Sequence, residues 1–560
     1  MRWSASDRIT AAALFLATAG FTLWQNTRVA ALWDLSYLLD SAWRFSLGQV
    51  PYRDLPFAHA PLTFSVHAAL IRLFGRVYYP HIACAVMESG IATALTWRIL
   101  RGLGAPQIWA AALTAPLIFL GIYGIYPHPI YDSDASLAAL LALYLLQRAD
   151  ASGTRHSSFL AGAACLVPFF FKQNIGLAFL AAVLVYTAVG AALARNRKES
   201  LAVPEWTLAG IVIAAAIAAL LLQSTVGLRN YFYWTTTFAA QRRLPGLPLL
   251  FSEYHQQSLL WSIPAALLGF ALLRSTRWRT RKFFAFLLLA APFLWTIASL
   301  AITSDADDRA DQLLGLWPHL LSLGSVLALA NLRPRVLHEQ RLFPALLPLI
   351  VLATIYGTFL SQQLWGSTYA IWPLLMLLVW SLLNLIADVA QPVAAALCAT
   401  LLTCGPIYAI SLERLDYIDQ DGTLTRATLP ALRGMATPGP WIPQLEELIA
   451  FTDAEIPRDD GILLIPGDVP FFFSTGRTPK FPILLFDPAT DPYTPQQTLE
   501  QARAHNIRWL IVSRDTQLRA SPLPNLDEII STLKSDFKLY RTIAGYDVYR
   551  SAKGTDGLRP

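Results

Sequence analysis

The residues best suited to chemistry lie within residues 33–75, between the first two clear apolar stretches of the chain. This segment carries carboxylates at Asp34 and Asp54, a cation at Arg53 and an imidazole at His59. A carboxylate can accept the proton of a reacting hydroxyl, and nearby cations can offset the negative charge of a leaving group. We therefore expect this segment to form a catalytic loop at the mouth of a helix bundle.

Asp34 also has a second interpretation, because it directly precedes a run with helical periodicity. The apolar residues of that run are Leu35, Leu38, Leu39, Ala42 and Phe45. Such spacing predicts an amphipathic helix, and a short carboxylate in front of a helix commonly caps its free backbone N–H groups. The sequence leaves both roles of Asp34 open.

This helix and a second one, predicted over residues 61–74, are expected to lie on the membrane surface. The second stretch is short for crossing a bilayer and contains His67 and Arg72. Trp33 and Trp43 suit the headgroup zone. Asp40 and Arg44 stand four residues apart on the first helix, a spacing typical of an exposed ion pair.

Asp132 and Asp134 form a second acidic position at the start of a later apolar stretch. Two carboxylates at a helix start can cap that helix. They can also contribute to a site for a hard divalent cation, although two carboxylates are an incomplete ligand set. The sequence therefore assigns no cofactor and leaves dependence on a divalent cation open.

Cations and polar groups interrupt the apolar pattern at two further places, Lys172-Gln173 and Arg242-Arg243. A lysine at a span end can simply extend its ammonium toward water, and arginines beside aromatic residues fit a membrane interface. The alternative interpretation is contact with the phosphate of a lipid-linked substrate, for which an ammonium is suited.

The composition predicts an all-α polytopic membrane bundle. Of the 560 residues, 55% are hydrophobic and only 14% are charged, which excludes an ordinary soluble globular protein. The net charge of +6 does not indicate nucleic-acid binding, because the basic residues cluster in short loops between apolar runs. Apolar runs predict about thirteen spans. The positive-inside rule then places the N-terminus in the cytoplasm and residues 411–560 outside.

The chain thus divides into a transmembrane domain, residues 1–410, with a first outer loop at residues 27–78, and a small outer α/β domain, residues 411–560. In the outer domain we expect strands or apolar runs at residues 462–465, 481–486 and 507–513. A helix is predicted over residues 496–505, started by Thr494 and Pro495, and a hairpin around Ala544-Gly545.

The first outer loop resembles that of the GT-C glycosyltransferases, especially aminoarabinose transferases, protein O-mannosyltransferases and related bacterial enzymes. The resemblance lies in Asp34, a Tyr and an Ala-x-Arg in one amphipathic helix, a Gly-Gln, a Pro-Leu turn and a second helix ending Leu-Phe-Gly. The chain has Asp34-Leu35 where the family often has Asp-Glu. It has His59-Ala60-Pro61 where the family often has a Lys-Pro-Pro turn.

The resemblance implies an inverting transferase in the inner (plasma) membrane. It would move a sugar from a polyprenyl-phosphate donor to a lipid, glycan or protein acceptor at the outer face. Asp34 would act on the acceptor hydroxyl, with Asp132 or Asp134 positioning it. The donor and acceptor would meet Arg53, Asp54, His59, Lys172, Gln173, Arg242 and Arg243. A transporter or lipid flippase is the alternative, and a non-catalytic scaffold is a third possibility.

Overall fold

The structure is a computed structural model. It describes residues 4–124, 126–243, 248, 252–255, 257–275, 280–303, 316–338, 341–360, 370–415, 417–487, 490–519 and 525–552. In this described part, the long helices precede residue 411 and the named strands follow it.

The helices of the first part differ widely in length. They are α1 (Ala5–Asn26), α2 (Leu32–Ser46), α3 (Leu62–Phe74), α4 (Tyr79–Gly102), α5 (Gln107–Thr114), α6 (Leu117–Leu120), α7 (Tyr131–Ser152), α8 (Arg155–Ala164), α9 (Val167–Phe171), α10 (Gln173–Arg197), α11 (Ala202–Thr225), α12 (Leu228–Phe232) and α13 (Ala239–Arg243). A π-helical segment, Tyr233–Phe238, joins the last two. Then follow α14 (Gln257–Arg274), α15 (Arg281–Ile302), α16 (Leu316–Ala330), α17 (Leu332–His338), α18 (Leu342–Thr358), α19 (Trp372–Leu383) and α20 (Ala390–Ile410).

Among the described residues, six helices are long and apolar enough to cross a membrane: α4, α10, α11, α14, α15 and α20. Their lateral surfaces are apolar, as at Leu220 and Leu221 of α11, which are 71% and 60% exposed. Such surface is favourable in lipid and costly in water. The chain is therefore an integral membrane protein, while the count of about thirteen spans stays a prediction.

Two of the predicted spans are broken into short helices. The apolar stretch after Pro106 forms α5 and α6, with Pro116 at the junction, and the stretch around Phe159 forms α8 and α9, with Pro168 in the first turn of α9. Proline lacks a backbone N–H and clashes with the preceding turn, so it begins helices and interrupts continuous ones.

The described C-terminal part forms a small α/β unit. Its elements are β1 (Leu424–Arg426), β2 (Ala436–Pro438), α21 (Trp441–Glu455), β3 (Gly461–Ile465), α22 (Phe471–Thr475), α23 (Pro495–Ala504), β4 (Ile507–Ser513), α24 (Leu526–Lys534), β5 (Phe537–Ile543) and β6 (Tyr546–Ser551). The main sheet has the order β3-β4-β6-β5. Strands β3 and β4 are parallel, and the other pairs are antiparallel.

Most of the predicted elements of this unit are confirmed. Thr494 begins α23 through a capping box with Gln497, and Ala544 and Gly545 form the turn between β5 and β6. The apolar run at residues 481–486 is not a strand. Its first two carbonyl groups, of Phe481 and Pro482, instead accept hydrogen bonds from a buried arginine of α2.

That arginine is Arg44, and the prediction that Asp40 and Arg44 form an exposed pair is wrong. Both side chains are buried, at 4% and 2% exposure. Asp40 accepts backbone N–H groups from Phe472 and Phe473 at 3.2 and 2.7 Å, at the start of α22. The two side chains therefore attach α2 to the outer unit, because both hydrogen-bond to backbone groups of that unit.

The predicted position of α2 at the membrane surface is also wrong. Most of its side chains are buried within the protein, and Trp43 donates its indole N–H to the carbonyl oxygen of Arg477 at 2.9 Å. A helix covered on both of its faces by protein cannot rest in a lipid headgroup layer. Helix α2 is instead a bridge between the helical part and the outer unit.

Candidate active site

The first turn of α2 is held by residues from distant parts of the chain. The helix has Ala31 as its N-cap residue, without a side-chain cap. The N–H of Ala31 donates to His128 Nε2 at 3.0 Å, and the N–H of Leu32 donates to Gln517 Oε1 at 2.7 Å. Asp34 is the third residue of the helix and not its N-cap. His128 and Gln517 satisfy the N–H groups of Ala31 and Leu32, and among the described backbone groups the Asp34 carboxylate accepts only the N–H of its own residue.

The carboxylate of Asp34 is instead bound by phenol groups. Tyr417 Oη donates to Asp34 Oδ2 at 2.8 Å, and the hydroxyl of Tyr126 also faces this carboxylate. Burial raises the pKa of Asp34, the two hydroxyl groups oppose that rise, and the negative charge of Asp487 adds to it. A carboxylate with a raised pKa is a better proton acceptor once it is ionised.

Lys172 and Asp132 form a buried ion pair. Lys172 stands between α9 and α10 in an extended conformation. A Cβ at Gly176 would lie 2.1 Å from Phe169 Cα, so the glycine lets the two helices meet closely at this break. The side chains of Lys172 and Asp132 are only 10% and 7% exposed to solvent. Each ion thereby supplies the partner that the other needs at this depth.

A chain of aromatic contacts connects this ion pair to α2. The ammonium of Lys172 lies 4.9 Å from the centre of the Tyr131 ring, which is 4.7 Å from the ring of His59. The Nδ1 of His59 shares a hydrogen bond of 2.9 Å with the hydroxyl of Tyr37. Tyr37 follows Asp34 by three residues on α2 and so lies on the same side of the helix.

Gln173 fixes the loop that carries His59. Its Nε2 donates to the carbonyl oxygen of Ala58 at 3.1 Å and to that of Thr235 at 3.0 Å. One amide thus joins the start of α10, the first outer loop and the π-helical segment. The sequence-predicted residues His59, Asp132, Lys172 and Gln173 are in this way brought into one connected cluster.

Asp134 belongs to a different cluster on the other side of α7. It accepts a hydrogen bond from Thr63 and another from Tyr123, the latter at 3.2 Å. The single hydroxyl proton of Tyr123 is shared between Asp134 and Glu88 of α4. Residues two apart on a helix point in nearly opposite directions, which explains why Asp132 and Asp134 have separate partners. Glu88 thereby has its partners within the protein.

The remaining sequence candidates lie at the surface. Arg53 and Asp54 pair with each other at 2.7 Å, and Asp54 Oδ2 accepts the N–H of Val50 at 2.8 Å, closing a turn. Arg242 donates to the carbonyl oxygen of Asp491 at 2.7 Å and thereby contacts the outer unit. The side chain of Arg243 lies outside the described residues.

Sequence reasoning missed the tyrosines that carry these contacts. Tyr37 and Tyr131 could have been predicted from their positions in the sequence. Tyr37 lies one helical turn after Asp34, and Tyr131 directly precedes Asp132. Tyr417 and Gln517 could not have been predicted from the local sequence, because their contacts with α2 span 383 and 485 positions. Within the described ranges, no group of three or more His, Cys, Asp or Glu side chains is arranged to hold a metal ion.

A comparison of the sequence with protein-family models finds no match, and neither does a comparison with curated proteins. Several solved structures are similar to the chain. ArnT from Cupriavidus metallidurans, bound to undecaprenyl phosphate, is 12% identical with a TM-score of 0.46, over 99% of this chain and 100% of that chain.

Two further similar structures are of the Archaeoglobus fulgidus oligosaccharyltransferase. Its complex with zinc and sulfate is 10% identical with a TM-score of 0.49, over 97% of this chain and 73% of that one. AglB with an inhibitory peptide and a dolichol-phosphate is 11% identical with a TM-score of 0.48, over 99% and 76%. At these identities and scores, function must be argued from the residues themselves.

Proposed function

We propose that the chain is an inverting membrane glycosyltransferase of the GT-C type. In this proposal it transfers a sugar from a polyprenyl-phosphate donor to an acceptor hydroxyl at the extracytoplasmic face. The observation that carries the proposal is the position of Asp34. Asp34 is not the N-cap of α2, and its carboxylate, besides meeting the N–H of its own residue, accepts a hydrogen bond from the phenol of Tyr417 in the outer unit and faces the phenol of Tyr126 from the helical part.

Asp34 is assigned the role of general base. As the acceptor oxygen bonds to the anomeric carbon of the sugar, Asp34 takes the proton of the acceptor hydroxyl. The bond from that carbon to the phosphate oxygen breaks, and the lipid phosphate leaves with the electron pair. Attack from the face opposite the phosphate inverts the anomeric centre. General-base assistance of this kind is worth about 10²- to 10⁴-fold in rate.

Lys172 and His59 are assigned to the phosphate of the donor. Lys172 provides a positive charge within a largely water-excluded cluster, where it stabilises the charge that develops on the leaving phosphate. Asp132 is a positioning residue in this scheme, because its ion pair holds the ammonium in place. Arg53, Asp54, Arg242 and Arg243 are proposed to contact substrate closer to the surface, and Asp134 to support the loop through Thr63.

The contacts of α2 also support the proposed topology. Helix α2 lies in the loop between α1 and α4, and it hydrogen-bonds to Phe472, Phe473 and Phe481 of the outer unit. Groups in direct contact must lie on the same side of the bilayer. This supports one shared compartment for residues 27–78 and 411–560. We propose from the positive-inside rule that this compartment is the outer one, with residues 1–410 as the transmembrane domain and the N-terminus in the cytoplasm.

The proposal is tested with the purified full-length protein in sealed vesicles. Labelled polyprenyl-phosphate sugars are supplied together with a bacterial membrane extract as the source of acceptors. We expect label to move from the donor to an acceptor fraction. Uptake or flipping of the labelled lipid without transfer of the sugar would instead support the transporter alternative.

A further inference from the structure

A second polar pocket lies far from Asp34, where α7 and α10 end. It is a cavity of about 170 Å³ between the last turns of α10, the start of α11 and the start of α18. A cavity needs only about 10–15 Å³ of such volume to hold one water molecule. This pocket is therefore large enough for a polar ligand of several atoms.

The pocket presents charges of both signs. Arg197 and Arg341 contribute two guanidinium groups, and Asp150 and Glu199 contribute two carboxylates. Among the described residues, neither Asp150 nor Arg341 forms a close ion pair, although the charge of Arg341 acts on Asp150 at longer range. The site is thus neutral overall but carries separate positive and negative groups, which favours a ligand that is itself zwitterionic over a simple anion.

The Asp150 carboxylate makes only loose hydrogen bonds with the protein. Two of them are long, at 3.4 Å to the N–H of Phe343 and 3.5 Å to the hydroxyl of Tyr186, and the N–H of Leu342 and the positive charge of Arg341 also act on this group. The two long bonds fall on the same oxygen, Oδ1, and both are beyond the usual length of a good hydrogen bond. A half-buried carboxylate with such weak partners is suited to a cationic ligand group.

The pocket lies at the opposite end of the bundle from the candidate active site. Helix α10 begins at Gln173, next to Lys172, and ends at Arg197. Its 25 residues extend over roughly 36 Å at 1.5 Å per residue, which is about the thickness of a bilayer core with part of its headgroup layer. The two ends of α10 therefore lie near different leaflets.

One wall of the pocket is apolar. It is formed by Val203, Leu342 and Ala345. The absence of a side chain at Gly190 lets Leu342 pack closely against α10, because a Cβ at Gly190 would lie only 2.8 Å from Leu342 Cδ2. A ligand with a charged end and an acyl chain would match this combination of a polar floor and an apolar wall.

We propose that this pocket binds the head group of a phosphatidylethanolamine-type phospholipid, from the leaflet opposite the active site. The phosphodiester would contact Arg197 and Arg341, since guanidinium groups pair with phosphate oxygens through two hydrogen bonds. The ammonium would contact Asp150 and Glu199. Lipid bound here would connect α7, α10 and α18, and α7 and α10 also carry Asp132 and Gln173 at their other ends.

The test is a binding titration of the purified full-length protein in detergent. The probes are dihexanoyl-phosphatidylethanolamine, dihexanoyl-phosphatidylglycerol and free O-phosphoethanolamine, measured by native mass spectrometry and by calorimetry. We expect saturable binding of the first, with affinity at least about tenfold higher than for the other two. Asp150→Asn and Arg341→Gln should each weaken that binding by about tenfold or more.

Arg195→Gln is the matched control, because Arg195 is a basic residue in the same last turn of α10 but does not line the pocket. It should bind the lipid like the wild type. If Asp150→Asn does not fold, Glu199→Gln tests the same ammonium contact at an exposed position. Equal affinity for both lipids, equal affinity for free phosphoethanolamine, or folded pocket variants with unchanged binding would each overturn the proposal.

Discussion

The hydroxyl of Tyr417 donates a hydrogen bond of 2.8 Å to Asp34 Oδ2, across 383 positions of the chain. Burial raises the pKa of Asp34 and this bond opposes the rise, so Tyr417→Phe should raise that pKa further. A general base must be ionised to act. We therefore expect the acid limb of the pH profile of kcat/KM for sugar transfer to move to higher pH in Tyr417→Phe.

Tyr540→Phe is the control for this prediction. Tyr540 is an exposed tyrosine of the outer unit whose hydroxyl contacts Glu455, so its removal should leave the profile in place. An unchanged acid limb in Tyr417→Phe would show that the group titrating in the profile is not Asp34.

The ion pair of Lys172 and Asp132 allows binding and stability effects to be separated. Lys172→Met alone leaves a buried carboxylate without its partner, which typically costs about 3–5 kcal/mol. The double variant Lys172→Met/Asp132→Asn removes both charges and should recover most of that stability. Thermal unfolding of the two variants measures this difference.

The same double variant tests the phosphate role. If Lys172 binds the donor phosphate, the stable double variant should still show a KM for the donor raised about tenfold or more, with a smaller change in KM for the acceptor. A recovered KM together with recovered stability would assign the pair a structural role only.

The buried carboxyl group of Asp40 should make the stability of the protein depend on pH. Burial raises its pKa to about 7 in the folded protein, above the value near 3.9 of an unfolded chain. Between these values the folded state binds more protons, so the free energy of unfolding should fall as pH rises from about 4 to about 7. Asp40→Asn should flatten this fall.

The comparison is made by thermal unfolding of both proteins across that range of pH. Burial also raises the pKa of Asp468 and of Asp491 to about 6, but those groups are present in both proteins. The difference between the two curves therefore isolates Asp40. A difference that is constant with pH would contradict the assignment.

Gln173 offers a test of loop positioning. Its amide donates to two backbone carbonyl groups, so Gln173→Glu places a carboxylate against two acceptors, whereas Gln173→Ala only leaves them unbonded. An unsatisfied buried group costs about 1–3 kcal/mol. We expect kcat/KM and stability to fall in both variants and to fall further in Gln173→Glu. An equal loss in both would indicate that the amide does not make these bonds.

The sequence predicts the parts of this protein that depend on local pattern. The apolar stretches, the capping box at Thr494 and the turn at Ala544-Gly545 follow from residues close together in the chain. Local pattern also indicates His59, Asp132, Lys172 and Gln173 as candidate site residues, since a polar group in apolar surroundings needs a partner or a ligand.

The environment of α2 could not be predicted in this way. Its amphipathic pattern is compatible with a membrane surface, and the spacing of Asp40 and Arg44 fits an exposed pair. What decides their burial is a set of backbone groups near Phe472 and Phe481, more than 400 positions later. The interpretation of Asp34 as the N-cap is wrong for a similar reason, because α2 begins earlier, where distant His128 and Gln517 accept the N–H groups of Ala31 and Leu32.

The most direct test of the central claim is sugar transfer by Asp34→Asn, measured with purified protein and a labelled polyprenyl-phosphate sugar. We expect kcat to fall at least about 100-fold while the unfolding temperature stays close to that of the wild type. Asp421→Asn, at an exposed carboxylate that pairs with Arg519, should keep full activity. A folded Asp34→Asn protein with wild-type transfer would contradict the account.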